Sequence, residues 1–143
     1  MNKKLWIGTI AVFIAMGVLS FIIHGVLLKS TYQSAEVMGF MRPEAEMMGM
    51  MWIFYVVNAV ISFFFTLIFS KGYEGKGMGE GLRYGFYVGC LMATPMAYAS
   101  YAMYPMPYSL ALTWFICGII EYLIYGAIVA MVFGSSKKEA AAA

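Results

Sequence analysis

The chain has 143 residues, of which 63% are hydrophobic and 11% are charged, and its formal net charge is +2. Soluble domains carry about a quarter charged residues, so this composition indicates a single-domain membrane protein with no room for a separate soluble catalytic domain. The small net charge and the lack of a basic stripe argue against nucleic acid as a partner.

Residues 5–28 form the first predicted membrane-spanning helix, because a helix rising about 1.5 Å per residue needs about 20 apolar residues to cross the hydrocarbon. The run exceeds the ~7–15 residues of a signal-peptide core and no small-x-small site closes it, so we expect a retained span. His24, the one histidine of the sequence, lies near its outer end. A lone histidine favours a structural hydrogen bond over a metal site, with titration or pairing to an acidic loop residue as alternatives.

The second and third spans are predicted at residues 51–70 and 84–103, joined by a glycine-rich, charged loop that we expect to be a flexible hairpin. Polar residues recur every four positions from Asn58 to Ser70, which places them on one side of the second span, toward protein. Pro95 is expected to kink the third span near the membrane midplane. The carbonyl group that this kink frees would be satisfied by Thr94 or by a neighbouring helix.

Small residues recur every four positions along the third span and again in the last one. This pattern lets helix backbones approach closely, and it is too common in membrane helices to identify a partner. The predicted helix-packing positions are Gly81, Gly85, Gly89, Ala93, Ala97, Gly126 and Ala130.

The fourth span is predicted at residues 108–133, and the two prolines before it make the third and fourth spans antiparallel neighbours. Glu121 lies roughly 20 Å from the outer end of this span, where a carboxyl group must find a partner or face a cavity. Its depth differs from that of His24 by about 13 Å, so we expect no direct pair. Glu121 is either a proton or cation site or, as we favour, a neutral group hydrogen-bonded to another helix or subunit.

The basic residues predict the orientation, because Lys and Arg near span ends stay on the cytoplasmic side. Of the nine, only Lys29 and Arg42 fall on the outer side. The cytoplasmic set is Lys3, Lys4, Lys71, Lys76, Arg83, Lys137 and Lys138. The chain is therefore predicted to be an all-α, integral membrane four-helix bundle with antiparallel neighbouring helices and both termini in the cytoplasm.

Catalytic and cofactor-binding signals are weak in this sequence. Thioethers of Met103 and Met106 could join His24 around Cu(I), but methionine is more often an adaptable apolar filler, so we predict no metal or other cofactor. The sequence has no paired carboxylates, no Ser/His/Asp set and no CxxC or HExxH motif. We therefore expect no enzymatic activity.

Four short motifs resemble those of small bacterial inner-membrane proteins with four spans. These motifs are His24-Gly25, Arg42-Pro43-Glu44, Gly72-Tyr73-Glu74-Gly75-Lys76-Gly77 and Glu80-Gly81-Leu82-Arg83-Tyr84-Gly85. The resemblance implies a bacterial cytoplasmic membrane and no particular activity, so it assigns no functional residues.

Two functions remain compatible with the sequence. In the first, the chain is an accessory or structural subunit of a larger membrane complex, or it self-associates, and hydrogen bonds seal Glu121 and His24. In the second, it is a small oligomeric transporter or channel for a proton, cation or small solute. There Glu121, Asn58, Thr94 and, as a further candidate, His24 line a route, with a wet cavity at Pro95. We favour the first, because a conducting path needs more polar lining than these spans offer.

Overall fold

The chain is almost entirely helical. In the computed structural model, which describes residues 3–142, helix accounts for 86% of the residues and no strand occurs in that range. The prediction of an all-helical chain is confirmed. Side-chain surroundings are described for residues 3–134, so the predicted cytoplasmic side chains of Lys137 and Lys138 lie outside the described part.

Four long helical segments alternate with short connections. In chain order they are α1 (Lys3–Ser20) with its π-helical continuation Phe21–Leu27, α5 (Met51–Gly72), α6 (Met78–Thr94) with the π-helical segment Pro95–Ala99 and α7 (Ser100–Met103), and α8 (Tyr108–Ala142). Between the first two lie the short helices α2 (Lys29–Tyr32), α3 (Ala35–Met38) and α4 (Glu44–Gly49).

Three of the helices are apolar and long enough to cross a membrane. They are Lys3–Leu27, Met51–Gly72 and Tyr108–Gly134. The third predicted span, residues 84–103, is not among them. In this region α6 ends after 17 residues at Thr94. Pro95 has no backbone N–H, so the regular hydrogen-bond ladder stops there and resumes as a π-helix.

Helix α8 is the element to which most of the others attach. Helix α6 packs along α8, and α1 packs against both α5 and α8, so the order of neighbours is α5, α1, α8, α6. The backbones of α5 and α6 barely approach each other although they are consecutive in the chain.

Glycine sets the distance between α6 and α8. A Cβ atom at Gly85 would overlap the carbonyl group of Tyr122, and Gly81 and Gly126 each face the other's carbonyl oxygen in the same way. Because a backbone cannot move aside as a side chain can, these positions require glycine. The other predicted packing positions are also enclosed: Gly89 faces Tyr122 and Ile119, and Ala93, Ala97 and Ala130 are buried.

The end of the molecule that carries the α5–α6 connection, here called the loop end, has an aromatic core. The ring of Phe65 lies 4.7 Å from that of Tyr84 and 6.3 Å from that of Tyr125, between centroids. Phe69 contacts Phe133 with centroids 5.6 Å apart. The Tyr84 hydroxyl also donates a 2.7 Å hydrogen bond to the Phe65 carbonyl, so α5 and α6 meet here through side chains.

The loop itself is held by one carboxylate. Glu80, which is buried, accepts hydrogen bonds from the backbone N–H groups of Glu74 at 2.6 Å and Lys76 at 2.7 Å. Gly75 and Gly77 have φ values of +79° and +77°, a conformation that favours glycine. Lys76 pairs with Glu74 at the surface and lowers the pKa of its carboxyl group. These contacts give the loop a defined conformation where the sequence predicted a flexible hairpin.

Residues 28–50, here called the cap, cover the opposite end of the molecule. Val37 of α3 is fully buried and clusters with Leu28 and Leu110. The Ser34 hydroxyl accepts a 3.4 Å hydrogen bond from the Val37 N–H group, which caps α3. Burial of an apolar side chain of the connection therefore fixes the cap against α8.

Candidate functional site

A cavity of about 150 Å³ lies among the four long helical segments, toward the cap. Its walls come from His24 after α1, Ile61 of α5, Met92 of α6 and the residues Trp114 and Glu121 of α8. Most of the wall is apolar, and the polar groups are few. A concave apolar space with a small number of convergent polar groups is the usual form of a small-molecule site.

Both π-helical segments border this cavity. Phe21–Leu27 contributes Ile23 and His24, and Pro95–Ala99 contributes Met96. A π-helix is rare in proteins and occurs mostly as a short insertion in an α-helix, frequently at a functional site. The two irregular turns therefore place their side chains around one space.

His24 is held by a residue of the cap. Its Nδ1 atom lies 2.6 Å from the Tyr32 hydroxyl, and the Trp114 indole N–H donates a 2.9 Å hydrogen bond to that same hydroxyl. Burial raises the pKa of Tyr32 to about 12, so its hydroxyl keeps its proton at physiological pH. Since the oxygen already accepts from Trp114, we assign the Tyr32 proton to the bond with His24 Nδ1.

The assignment leaves the other ring nitrogen of His24 as a donor. A neutral imidazole whose Nδ1 accepts a hydrogen bond carries its own proton on Nε2. His24 Nε2 has no hydrogen-bond partner among residues 3–134. The cap therefore fixes the tautomer and leaves one N–H group of His24 unused.

Glu121 is half-buried and also lines the cavity. The Tyr125 hydroxyl, one turn along α8, donates a 3.2 Å hydrogen bond to Glu121 Oε1. The second carboxyl oxygen, Oε2, has no hydrogen-bond partner within the described side chains. Thr113, about two turns earlier on α8, donates to the Ser109 carbonyl at 2.8 Å and does not contact Glu121.

Tyr122 forms the floor of the cavity toward the loop end. Its ring packs against Phe65 and Tyr125, with centroids 5.7 Å and 5.4 Å away. The aromatic core thus begins on the loop-end side of the cavity.

The structure brings together only some of the residues that the sequence selected. His24 and Glu121 line the same cavity, although no direct bond joins them. Asn58 is half-buried on α5 and does not line it, and Thr94 and Pro95 lie on the exposed side of α6. The Thr94 hydroxyl forms no hydrogen bond with any side chain or backbone group of the described residues, so the expectation that it satisfies the carbonyl freed at Pro95 is wrong.

The suggested copper ligands do not converge. Met103 is 74% exposed, whereas Met106 is 4% exposed and packs beneath the cap. His24 is bonded to Tyr32 instead. Between residues 3 and 134, no cluster of three or more His, Cys, Asp or Glu side chains is arranged to hold a metal ion.

Sequence reasoning missed most of the cavity wall, including Met96 and Trp114, and it missed Tyr32, which bonds to His24. Trp114 precedes Glu121 by seven residues, and this two-turn spacing was available as a signal that both occupy one helix face. Tyr32 and Met96 carry no such signal, because their positions depend on the fold of the cap and on a π-helical turn.

Comparison with known proteins does not add an assignment. No known protein family matches the chain, and no curated protein or solved structure shows significant similarity to it. The functional argument therefore depends on the geometry alone.

Proposed function

We propose that the chain is a four-span protein of the bacterial inner membrane that serves as an accessory or structural subunit of a larger membrane complex. Three helices long and apolar enough to span support this proposal. The segment from α6 to α7 would be the fourth span, because its backbone contacts hold it along α8. Both termini would be cytoplasmic, since Lys4, Lys71 and Arg83 belong to the loop end and Lys29 and Arg42 to the cap.

The first two turns of α5 carry the argument for a partner. Every residue from 51 to 57 is at least 39% exposed, and all seven are apolar or aromatic. Because an α-helix turns once every 3.6 residues, seven consecutive exposed positions cover its whole circumference. Among the residues that the structure describes, no helix therefore packs closely around these first two turns of α5.

Asn58 is the single observation that favours a protein partner over lipid at this surface. It follows the exposed stretch directly, is half-buried, and forms no hydrogen bond with the residues that the structure describes. Its side-chain amide has two donors and one acceptor, and hydrocarbon cannot satisfy them. A polar side chain on a membrane helix of another subunit would satisfy these donors and this acceptor.

The transporter hypothesis retains one specific observation, the cavity shared by His24 and Glu121. Its floor is the packed ring of Tyr122, however, and both polar groups already have hydrogen bonds, to Tyr32 and Tyr125. A packed floor and polar groups bonded within the chain are not expected of a continuous conducting route. We therefore keep the accessory role as the proposal.

Purification from native membranes in mild detergent tests the proposal. We expect the chain to elute with a second membrane protein at fixed stoichiometry, and Asn58→Leu to release that protein because the amide is lost and the apolar surface kept. Thr94→Val, which removes an exposed polar group from α6, is the matched control and should leave the complex intact.

A homo-oligomer without other subunits would overturn the accessory role. In that case the Glu121→Gln variant tests the transporter hypothesis. Loss of flux through reconstituted vesicles with unchanged assembly would support it. Retention of the partner by the Asn58→Leu variant would instead refute the docking surface on α5.

A further inference from the structure

We infer that the cavity between His24 and Glu121 binds the head of a lipid-soluble aromatic compound that carries ring oxygens, that is, a quinone or the corresponding phenol. This site is separate from the exposed half of α5, and it does not depend on the proposed accessory role. The inference follows from the size of the cavity, its opening and its two unused polar groups.

The size of the cavity fits one six-membered ring. Its volume is about 150 Å³. Dry apolar cavities of about this volume in other proteins bind benzene. A single ring with small substituents therefore fills the space, whereas a fused polycyclic compound or a lipid acyl pair exceeds it.

The opening of the cavity faces hydrocarbon. Met92 and Met96 line it and are also 39% and 57% exposed, so they lie at its mouth. The α5 and α6 backbones barely approach each other, which leaves this mouth uncovered between two helices. A ligand that enters there comes from the bilayer, and it must dissolve in lipid. Thioether side chains also pack well against aromatic rings.

The unused polar groups select oxygen atoms rather than a charge. His24 offers its Nε2–H donor from one wall, and Glu121 offers its Oε2 oxygen from another. A quinone has carbonyl oxygens on opposite sides of one ring: one accepts from the imidazole and the other from a protonated carboxyl group. A phenol uses the same groups, donating its hydroxyl proton to Glu121.

The remaining wall suits an uncharged aromatic ring. Trp114 and Tyr122 supply ring faces, and Ile23 and Ile61 supply aliphatic contacts. A permanently charged ligand would lose its hydration in such a space and on its way through the hydrocarbon. The chemistry of the cavity therefore favours a neutral compound with two hydrogen-bonding oxygens.

Calorimetry with two matched ligands tests the inference. Duroquinone and durene have the same tetramethylated ring, and only duroquinone has oxygens. We expect the protein in lipid nanodiscs, after subtraction of empty nanodiscs, to bind duroquinone at least tenfold more tightly than durene. In a Trp6→Phe/Trp52→Phe background, duroquinone should also quench the fluorescence of Trp114 with the same affinity.

Substitutions locate the site. Glu121→Leu and His24→Phe should each weaken duroquinone binding tenfold or more, while Glu44→Leu, in the exposed part of the cap, should leave it unchanged. Met96→Trp should block the mouth without removing any polar group, and Met103→Trp is its control at an exposed position outside the cavity. Met96→Trp keeps the test decisive if a polar-group variant fails to fold.

Several results would overturn the inference: no binding of duroquinone, equal affinity for durene, or quenching that Met96→Trp does not reduce. Failure here is distinguishable from failure of the accessory role. Asn58→Leu should release a partner protein without changing duroquinone binding, and Met96→Trp should do the reverse.

Discussion

The loop end and the cap end of this small protein differ in how closely their helices pack. At the loop end, facing glycines bring α6 and α8 into backbone contact and aromatic rings fill the space beside them. At the cap end, two π-helical turns and a folded connection surround a cavity. The comparison shows that one small bundle can combine regular, close-packed helices at one end with irregular helical turns around a cavity at the other.

The position of α5 explains why the two ends differ. At the loop end, Tyr84 bonds to the Phe65 carbonyl and Phe69 packs on Phe133, so α5 is held near α6 and α8. Between residues 3 and 134, no comparable contact holds the first two turns of α5, where every residue from 51 to 57 is exposed. The space that opens between α5 and α6 is where the cavity has its mouth.

The largest effect on this contrast is expected from Gly85→Ala. The new Cβ atom would overlap the Tyr122 carbonyl group, and a backbone cannot yield as a side chain can. We expect a loss of about 3 kcal/mol in the free energy of unfolding, at the upper part of the usual range for overpacking. Gly17→Ala is the control, because a Cβ atom added at Gly17 would have no atom of a neighbouring element within 4 Å.

Denaturant titration of both glycine variants in the same detergent measures this difference. If Gly85→Ala were as stable as Gly17→Ala, the glycine contact would not determine the approach of α6 to α8, and the contrast between the ends would need another cause.

A smaller effect is expected from Glu80→Gln at the tip of the loop end. The amide keeps one acceptor oxygen but turns an NH₂ group toward a backbone N–H, so one of the two hydrogen bonds is lost. Leaving a buried backbone donor unpaired costs about 2 kcal/mol. Hydrogen exchange should rise at the amides of Glu74 and Lys76, while Glu36→Gln, in the exposed part of the cap, leaves the exchange of both amides unchanged. Unchanged exchange in Glu80→Gln would contradict the role of this carboxylate.

The smallest of the three effects is expected from Tyr32→Phe at the cap end. The substitution removes the hydrogen bonds to His24 and Trp114. Both bonds are only partly buried, so the free energy of unfolding should fall by about 1 kcal/mol. Trp114 fluorescence should shift to shorter wavelength, because the excited indole N–H loses the acceptor that stabilises it. Tyr104→Phe, an exposed tyrosine beside the cap, should show neither change, and an unshifted spectrum in Tyr32→Phe would count against the bond to Trp114.

The sequence predicts the helices well, because their length and apolar composition are local properties. It also selects the glycines of α6, whose four-residue spacing corresponds to one face of a helix. It does not predict the order of neighbours. The polar stripe of α5 correctly indicates a side that faces protein, since Ser62 and Thr66 are buried, but it does not show which helix covers that side. The loop was also misjudged, because the sequence pattern does not indicate that Glu80 turns back onto the backbone N–H groups of Glu74 and Lys76.

The candidate site was predictable only in part. His24 and Glu121 attract attention because polar groups in apolar helices need partners. Their presence at one cavity depends on the π-helical turns, which change the helical register in a way that spacing rules do not anticipate. The Tyr32 bond to His24 further depends on the burial of Val37, a tertiary contact that no local pattern encodes.

The bond from the Lys4 ammonium to the Phe133 carbonyl, 2.8 Å long, joins the beginning of α1 to the far end of α8. Val12 and Met16 of α1 are buried in a cluster with side chains of α8 that lie more than 100 residues later in the chain. During synthesis these two side chains therefore lack their partners until α8 has been translated, and the first helix reaches its final surroundings late.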